Sequence, residues 1–284
     1  MTQTPFRLLT WNIQSGKGCD GQIALDHVIN YIFDQGPLTV ICLQEVARYF
    51  DEYVCSTQPD QLAVLCQAFS EYTPVWGAAL SWPGSQPNQR REFGNLTLVN
   101  APMLDKRVHS LPSSSATEYW QTPRCAVETL IAGHQPIRIL NTHLAYHNPE
   151  ERFVQLAYLN DLAAKYTQEN RLPRSRGPGI YAHPDSTNST LLCGDLNLDS
   201  TSDQYHWLRQ QGWKDAFQQC YPKQIPFPTC GVYDSDQWPQ GPHCRDYILL
   251  QNLKAHTFSV DTHTPLSDHQ PLIVTLETSV HDTP

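Results

Sequence analysis

No stretch of this 284-residue chain holds the roughly 20 consecutive apolar residues of a membrane-spanning helix, so no span is expected. The nine cysteines are odd in number and none stands at CxxC spacing, which excludes a complete disulfide set and argues against a zinc knuckle. The opening MTQTPFRLLTWN has neither a basic start nor an apolar segment ending in small residues, and reads as a first strand rather than a signal peptide. Runs of lysine and arginine are also missing. Nineteen basic residues against 28 acidic ones give a formal charge of −9, and the densest basic spots are Arg90-Arg91 and Arg171 to Arg176. Tight non-specific nucleic-acid binding comes from clustered cations, so the charge lowers that expectation. A bound metal and a locally positive cleft can still receive an anion. Without repeats, low-complexity tracts or linker-like segments, a single domain over residues 1–284 and a monomer are expected. Cys42 in VICL and Cys193 in LLCGD sit in apolar runs as small hydrophobes, which suits a reducing, cytoplasmic setting.

Present instead are eight short runs rich in β-branched residues, each bounded by polar or turn residues: Phe6–Trp11, Thr39–Leu43, Leu96–Val99, Ala126–Ile131, Ile137–Asn141, Thr190–Cys193, Tyr247–Leu250 and Leu272–Leu276. Helical spacing appears at Leu25/Val28/Ile29/Ile32/Phe33, Leu62/Leu65/Cys66/Phe69 and Phe153/Leu156/Leu159/Ala163, and more weakly at Tyr205/Leu208/Gln211. Asn148-Pro149-Glu150-Glu151 carries a cap, a first-turn proline and acids for the third helix start. The order predicts an α+β fold of two packed sheets flanked by helices. Arg171–Ser189 and Pro222–His243 read as loops, and the second, with Trp238 and Tyr233, is expected to shape substrate choice.

Polar residues stand at the ends of these strands. In Cys193-Gly194-Asp195-Leu196-Asn197, a continuing strand would turn Asp195 and Asn197 to one face, where carboxylate and amide polarise water and hold a phosphoryl oxygen. The same residues also suit a turn. Glu45, after the buried run VICLQ, suits Mg²⁺ or Mn²⁺, which prefer oxygen ligands; an ion pair with Arg48 is the structural alternative. Asn12 follows LLTW and can steady that acid or donate to phosphate. Asp268 and His269 are adjacent before the last strand, so one can reach a cation and the other a phosphate. Asp246 opens DYILL and can orient an imidazole. His143 ends RILNTH, Glu92 in RREFGN could orient it, and Arg124 in TPRCAVE could clamp a phosphate. Each alone has an ordinary structural reading. If the sheets align these ends on one edge, they form a polar cluster with a metal and two imidazoles.

The ordered series TWNIQSG, LQEV, NTHL, GDLN, RDYI and SDHQP, spanning Phe6 to Leu276, resembles the endonuclease/exonuclease/phosphatase superfamily. The resemblance implies a four-layered αββα sandwich of mostly antiparallel sheets with the site at one edge of both. It implies Glu45 on the metal with Asn12 and Asp268 close, and Asp195 and Asn197 aligning or deprotonating the attacking water. His269, oriented by Asp246, would meet the phosphoryl group, and His143, oriented by Glu92, would serve the phosphate or leaving group. From the residues themselves, and not from the resemblance, Arg124 and Trp238 are expected to contact substrate. There are departures: Cys244-Arg245-Asp246-Tyr247 replaces the usual Arg-Ile-Asp-Tyr, LTLVN stands where many members have AILSR, and His143 falls where abasic-site endonucleases have tyrosine.

The activity expected is metal-dependent hydrolysis of a phosphoester by aligned water. Low basicity and the lack of an aromatic stacking run favour a phospholipid or small phosphorylated molecule. Acidic deoxyribonuclease-like chains nevertheless cut DNA, and nucleic acid is placed ahead. An inactive binding module would show lost acids or histidines, and Asn12, Glu45, His143, Asp195, Asn197, Asp246, Asp268 and His269 all keep functional residue types.

Overall fold

The computed structural model describes residues 5–114, 121–133, 135–171, 177–182 and 187–277. One six-stranded sheet contains β1 (Arg7–Asn12), β2 (Val40–Arg48), β3 (Thr73–Pro83), β4 (Arg90–Val99), β11 (Ala255–Val260) and β12 (Leu272–Leu276), in the order β11-β12-β1-β2-β4-β3. The other contains β5 (Met103–Ser110), β6 (Cys125–Ile131), β7 (Ile137–His143), β8 (Thr190–Asp195), β9 (Lys214–Asp215) and β10 (Asp246–Gln251), in the order β5-β6-β7-β8-β10-β9. Each sheet has one parallel pair, β1–β2 and β7–β8; the remaining pairs are antiparallel.

The apolar runs are continuous because both sheet faces are buried. Alternate residues of one strand enter different cores. Leu8, Val40, Cys42, Leu191, Cys193, Ile248 and Leu250 meet between the sheets. Leu9, Trp11, Ile41 and Leu43 face outward under α1 (Leu25–Asp34) and α2 (Gln61–Ala68). On the far side Leu192, Tyr247 and Leu249 pack under α3 (Pro149–Arg171) and α4 (Asp203–Gln210). The layers are therefore αββα, as expected. A short α5 (Ala216–Cys220) adds Ala216 and Phe217 to the inter-sheet core. Asn148 caps α3 as its sequence predicts: its Oδ1 accepts from the backbone N–H groups of Glu150 at 3.0 Å and Glu151 at 3.1 Å.

The strands β3, β5, β9 and β11 were not among the expected runs, and β4 begins six residues earlier than Leu96. The edge strand β5 has only half-buried and exposed residues, and β9 has only two residues, so neither offers an apolar run. The Pro222–His243 segment has no helix or strand of its own. Parts of the expected loop Arg171–Ser189 lie outside the described residues. Among the described residues, no helix is long and apolar enough to cross a membrane.

Candidate active site

Strand register does most of the assembly. Parallel pairing sets His143 beside Asp195, and antiparallel pairing sets Asp246 opposite Asp195. In the other sheet Asn12 pairs with Gln44, one residue before Glu45. The β2–β4 ladder shifts between Leu43 and Val46, and Glu45 has a φ of 59°, a left-handed conformation costly for a residue with a Cβ. The Ser15 hydroxyl holds it by donating to the Glu45 carbonyl at 2.8 Å. The bulge brings the Glu45 carboxylate to Asn12, whose amide donates to Glu45 Oε1 at 3.0 Å and to Asp195 Oδ2 at 3.1 Å. One amide thus joins an acid from each sheet.

Asp195 Oδ1 accepts from the backbone N–H of Asn197 at 2.9 Å, and Asn197 has a φ of 52°. The strand therefore does not continue to Asn197. A turn returns the side chain, so that its amide donates to Leu144 O and His143 Nε2, both at 3.0 Å. Arg245, one of the departures from the family pattern, fixes this turn by donating to the Asn197 carbonyl at 3.0 Å. The His269 ring bonds Asp246 Oδ2 through Nδ1 at 2.8 Å, and Thr229 donates to the same oxygen at 2.7 Å. His269 Nε2 lies 3.6 Å and His143 Nε2 3.3 Å from Asp195 Oδ2.

Glu45, His143, Asp195, Asn197, Asp268 and His269 share a cavity of ≈ 370 Å³, also lined by Arg124, Trp238, Tyr53 and Tyr146. Arg124 is half-buried, and its Nε has no hydrogen-bond partner. Trp238 is 2% exposed; its indole N–H donates to Asp268 Oδ2 at 3.2 Å, so it steadies that acid as well as walling the cavity. Gln237 donates to the same oxygen at 2.8 Å.

Glu92 needs correction. Its carboxylate takes Arg48 Nη1 at 2.6 Å, the Trp76 indole at 3.2 Å and the Ser81 hydroxyl at 2.9 Å, and Arg48 sits opposite it on β2. Those partners hold it on the β3–β4 hairpin; His143 instead has Asn197 on Nε2 and Glu45 at 3.7 Å from Nδ1. Arg48 also pairs with Asp60 at 2.7 Å and not with Glu45. Sequence reading missed Gln237, Thr229 and the buried amides behind the site. Gln44 Nε2 donates to Asn141 Oδ1 across the sheets at 2.7 Å, and Asn141 Nδ2 donates to Leu96 O at 3.1 Å.

The family model described as the Endonuclease/Exonuclease/phosphatase family matches residues 9–269. The chain belongs to this family. Similar solved structures include an endonuclease/exonuclease/phosphatase from Beutenbergia cavernae, with TM-score 0.72 and 19% identity over 98% of this chain and 72% of that one. A mannosyl-6-phosphatase from Bacteroides thetaiotaomicron gives TM-score 0.67 and 15% identity over 96% of this chain and 100% of that one. The human Nocturnin catalytic domain with bound sulfate gives 0.61 and 20% over 97% and 95%. At these identities the likeness is one of fold. No curated protein matches the chain.

The endonuclease/exonuclease/phosphatase family hydrolyses phosphoester bonds, typically with a divalent cation, and the electrostatics here fit one. Burial, and then the charge of Asp268, push Glu45 up to about 7 against the stabilising Asn12 amide. Burial also raises Asp195, and Asp246 adds to it against His269. His269 and Arg124 only partly offset this concentration of acid. The tightest group of potential ligand atoms is Asp195, Asp246 and His269, all within 4.8 Å of one another. There, however, His269 Nδ1 and Asp246 Oδ2 are already engaged with each other at 2.8 Å. Glu45, with a side chain 24% exposed, and Asp268 offer carboxylate oxygens to the cavity, while the Asn12 N–H group steadies Glu45 and its Oδ1 accepts from the Gln14 N–H at 3.1 Å. That set suits a hard divalent ion.

The two imidazoles diverge. Burial opposes the charge on His269, but Asp246, Asp195 and Asp268 outweigh it and hold the ring well above the ordinary histidine range. Burial, reinforced by Arg124 and His269, holds His143 well below it. The two rings are thus biased toward opposite charge states on either side of Asp195.

Proposed function

We propose that this protein is a single-domain, divalent-cation-dependent phosphoester hydrolase using Mg²⁺ or Mn²⁺, with a phosphodiester of nucleic acid as its substrate. The observation that carries this reading is the meeting of two imidazoles, His143 and His269, on Asp195 beside the Glu45 carboxylate in one cavity. Glu45 and Asp268, with Asn12 beside them, would hold the cation, which would supply positive charge against the phosphoryl oxygens. Asp195, fixed by the Asn12 amide and the Asn197 N–H, orients the attacking water and takes its proton; its raised proton affinity makes it the stronger base. His269, kept charged by Asp246, donates from Nε2 to the phosphoryl group as its negative charge grows. Neutral His143, held by Asn197, faces the same space, and Arg124 adds a cation to the cavity wall.

A small phosphorylated molecule is the second reading, favoured by the formal charge of −9. The test compares plasmid DNA, single-stranded RNA, sugar and inositol phosphates and sphingomyelin side by side, with Mg²⁺, with Mn²⁺ and with excess EDTA. Cation-dependent turnover of one class is expected. Full activity in EDTA, or no turnover of any substrate with either ion, overturns the proposal.

A further inference from the structure

Tyr53 lines the catalytic cavity, yet 51% of it is exposed, and it leads to a group of rings outside the reaction centre. Its ring lies 6.2 Å from Phe50, nearly edge-on at 70°, and 6.0 Å from Phe93. Phe50 meets Trp82 edge-on at 5.6 Å, and Trp82 is 49% exposed. Arg91, opposite Trp82 in the β3–β4 hairpin, places its guanidinium 5.2 Å from the Phe50 centroid and 5.9 Å from that of Trp82. A scattered exposed aromatic needs no explanation, but two half-exposed rings joined through a third, with a cation against Phe50 and Trp82 and one end in the cavity, form a contiguous surface.

The surface fits a planar group attached to the phosphate in the cavity. Rings with free faces and an interleaved arginine are what bind successive unpaired bases while a cation meets the backbone. Bases of a duplex are already stacked on each other and offer no such face. We propose that Tyr53, Trp82 and Arg91 form a stacking platform for bases flanking the scissile phosphate of a single-stranded nucleic acid. The assignment rests on the phosphoester-hydrolase reading above and names the form of its substrate. The platform is invisible in the sequence because its rings come from two segments, the loop after β2 and the β3–β4 hairpin, that only the fold brings together.

The test is a cycle between protein ring and base. A single-stranded oligonucleotide is compared with the same strand made abasic around one cleavable phosphate, for the wild type, Trp82→Ala and Trp82→Phe. On the normal strand Trp82→Ala raises KM about tenfold with kcat retained, and Trp82→Phe recovers most of the loss, from the usual contribution of one base–aromatic stack. The wild type shows a matching KM rise on the abasic strand, where Trp82→Ala adds nothing further. Retention of the normal strand in EDTA falls in parallel, a readout independent of turnover. Equal losses on both strands, or an abasic strand bound as well as the normal one, overturn the platform; the second comparison needs no variant. Binding to phosphatidylcholine vesicles that is lost in Trp82→Ala, without base dependence, reassigns the patch to a membrane surface. Turnover of a sugar phosphate or phospholipid but neither strand overturns the platform and leaves the hydrolase reading standing. No turnover of any substrate with either cation removes both.

Discussion

Starting from β11 in one sheet and β9 in the other, successive strand pairs run antiparallel, antiparallel, parallel, antiparallel, antiparallel in both. In each, the parallel pair runs toward the site: Asn12 at the end of β1 and Glu45 in the bulge of β2 from one sheet, His143 and Asp195 at the ends of β7 and β8 from the other. The equivalence stops at the backbone. His143 and Asp195 emerge in direct register and are buried against Asn197, Leu144 and Asp246. Glu45 emerges from a bulge at positive φ, partly exposed, with an amide from its neighbouring strand as its side-chain support. Fixed register suits groups that must meet a proton at a defined distance. A strained, partly open carboxylate suits a ligand that must exchange water for an ion.

If the second sheet's side is the preorganised one, breaking what it holds costs most, and its Asp246 holds the ring of His269, which enters from the segment before β12 of the first sheet. His269→Ala lowers kcat by about 10²–10⁴, the range for a lost acid–base or charge-stabilising group. Asp246→Asn acts through the same ring, so the double variant loses clearly less than the product of the single losses; independent multiplicative losses would separate the two residues.

Glu45→Gln tests the open side. Mn²⁺ affinity, measured by titration calorimetry, falls about 10–100-fold, with the loss in turnover partly recovered at high Mn²⁺. The wild type sharpens this through pH. The ion requires ionised Glu45, whose proton is held up to about 7 before the ion binds. Affinity therefore rises with pH up to about 7 and levels above it, falling about tenfold per unit below as the proton competes. Flat affinity between pH 5 and 7 would detach Glu45 from the ion. In the ion-free protein the raised value has the opposite consequence: its stabilising contribution is full below the ordinary glutamate range and lost as pH rises through about 7.

Asn12→Ala removes the amide joining the two sides. Glu45 then titrates higher still, and kcat/KM falls about tenfold, read together with an upward shift of the acidic limb of the pH profile. The smallest effect belongs to Trp238→Phe, which keeps a ring and deletes one N–H on Asp268. Gln237 still donates to the same oxygen, so a KM or ion-affinity change of a few-fold and a melting-temperature drop of a few degrees are expected. A loss as large as that of His269→Ala would make the indole itself part of the chemistry.

The central strands were legible because burial on both faces writes them as apolar runs, and the site positions because they terminate those runs. Edge strands such as β5, with exposed Lys106 and Arg107 in their midst, carry no such signature. Glu92 was misassigned for a related reason: its partner Arg48 is defined by a cross-strand register beyond the bulge, which spacing along the chain does not encode. Asn197 reached its expected neighbours by a turn instead of a strand, since Gly194 and Asn197, both at positive φ, bend the backbone locally.

The amides behind the site carry one more consequence. Two apolar sheet faces can slide past each other with modest change in buried area, and a slide would pull Asn12 and Glu45 away from His143 and Asp195. Gln44 and Asn141 meet at 2.7 Å in the middle of that interface, with the second amide also anchored on Leu96. Displacing either would strand polar groups where no water reaches. The pair works as an alignment pin between two plates: the surrounding greasy packing can be exchanged residue by residue, while the gap across which the reaction occurs stays indexed to these amides.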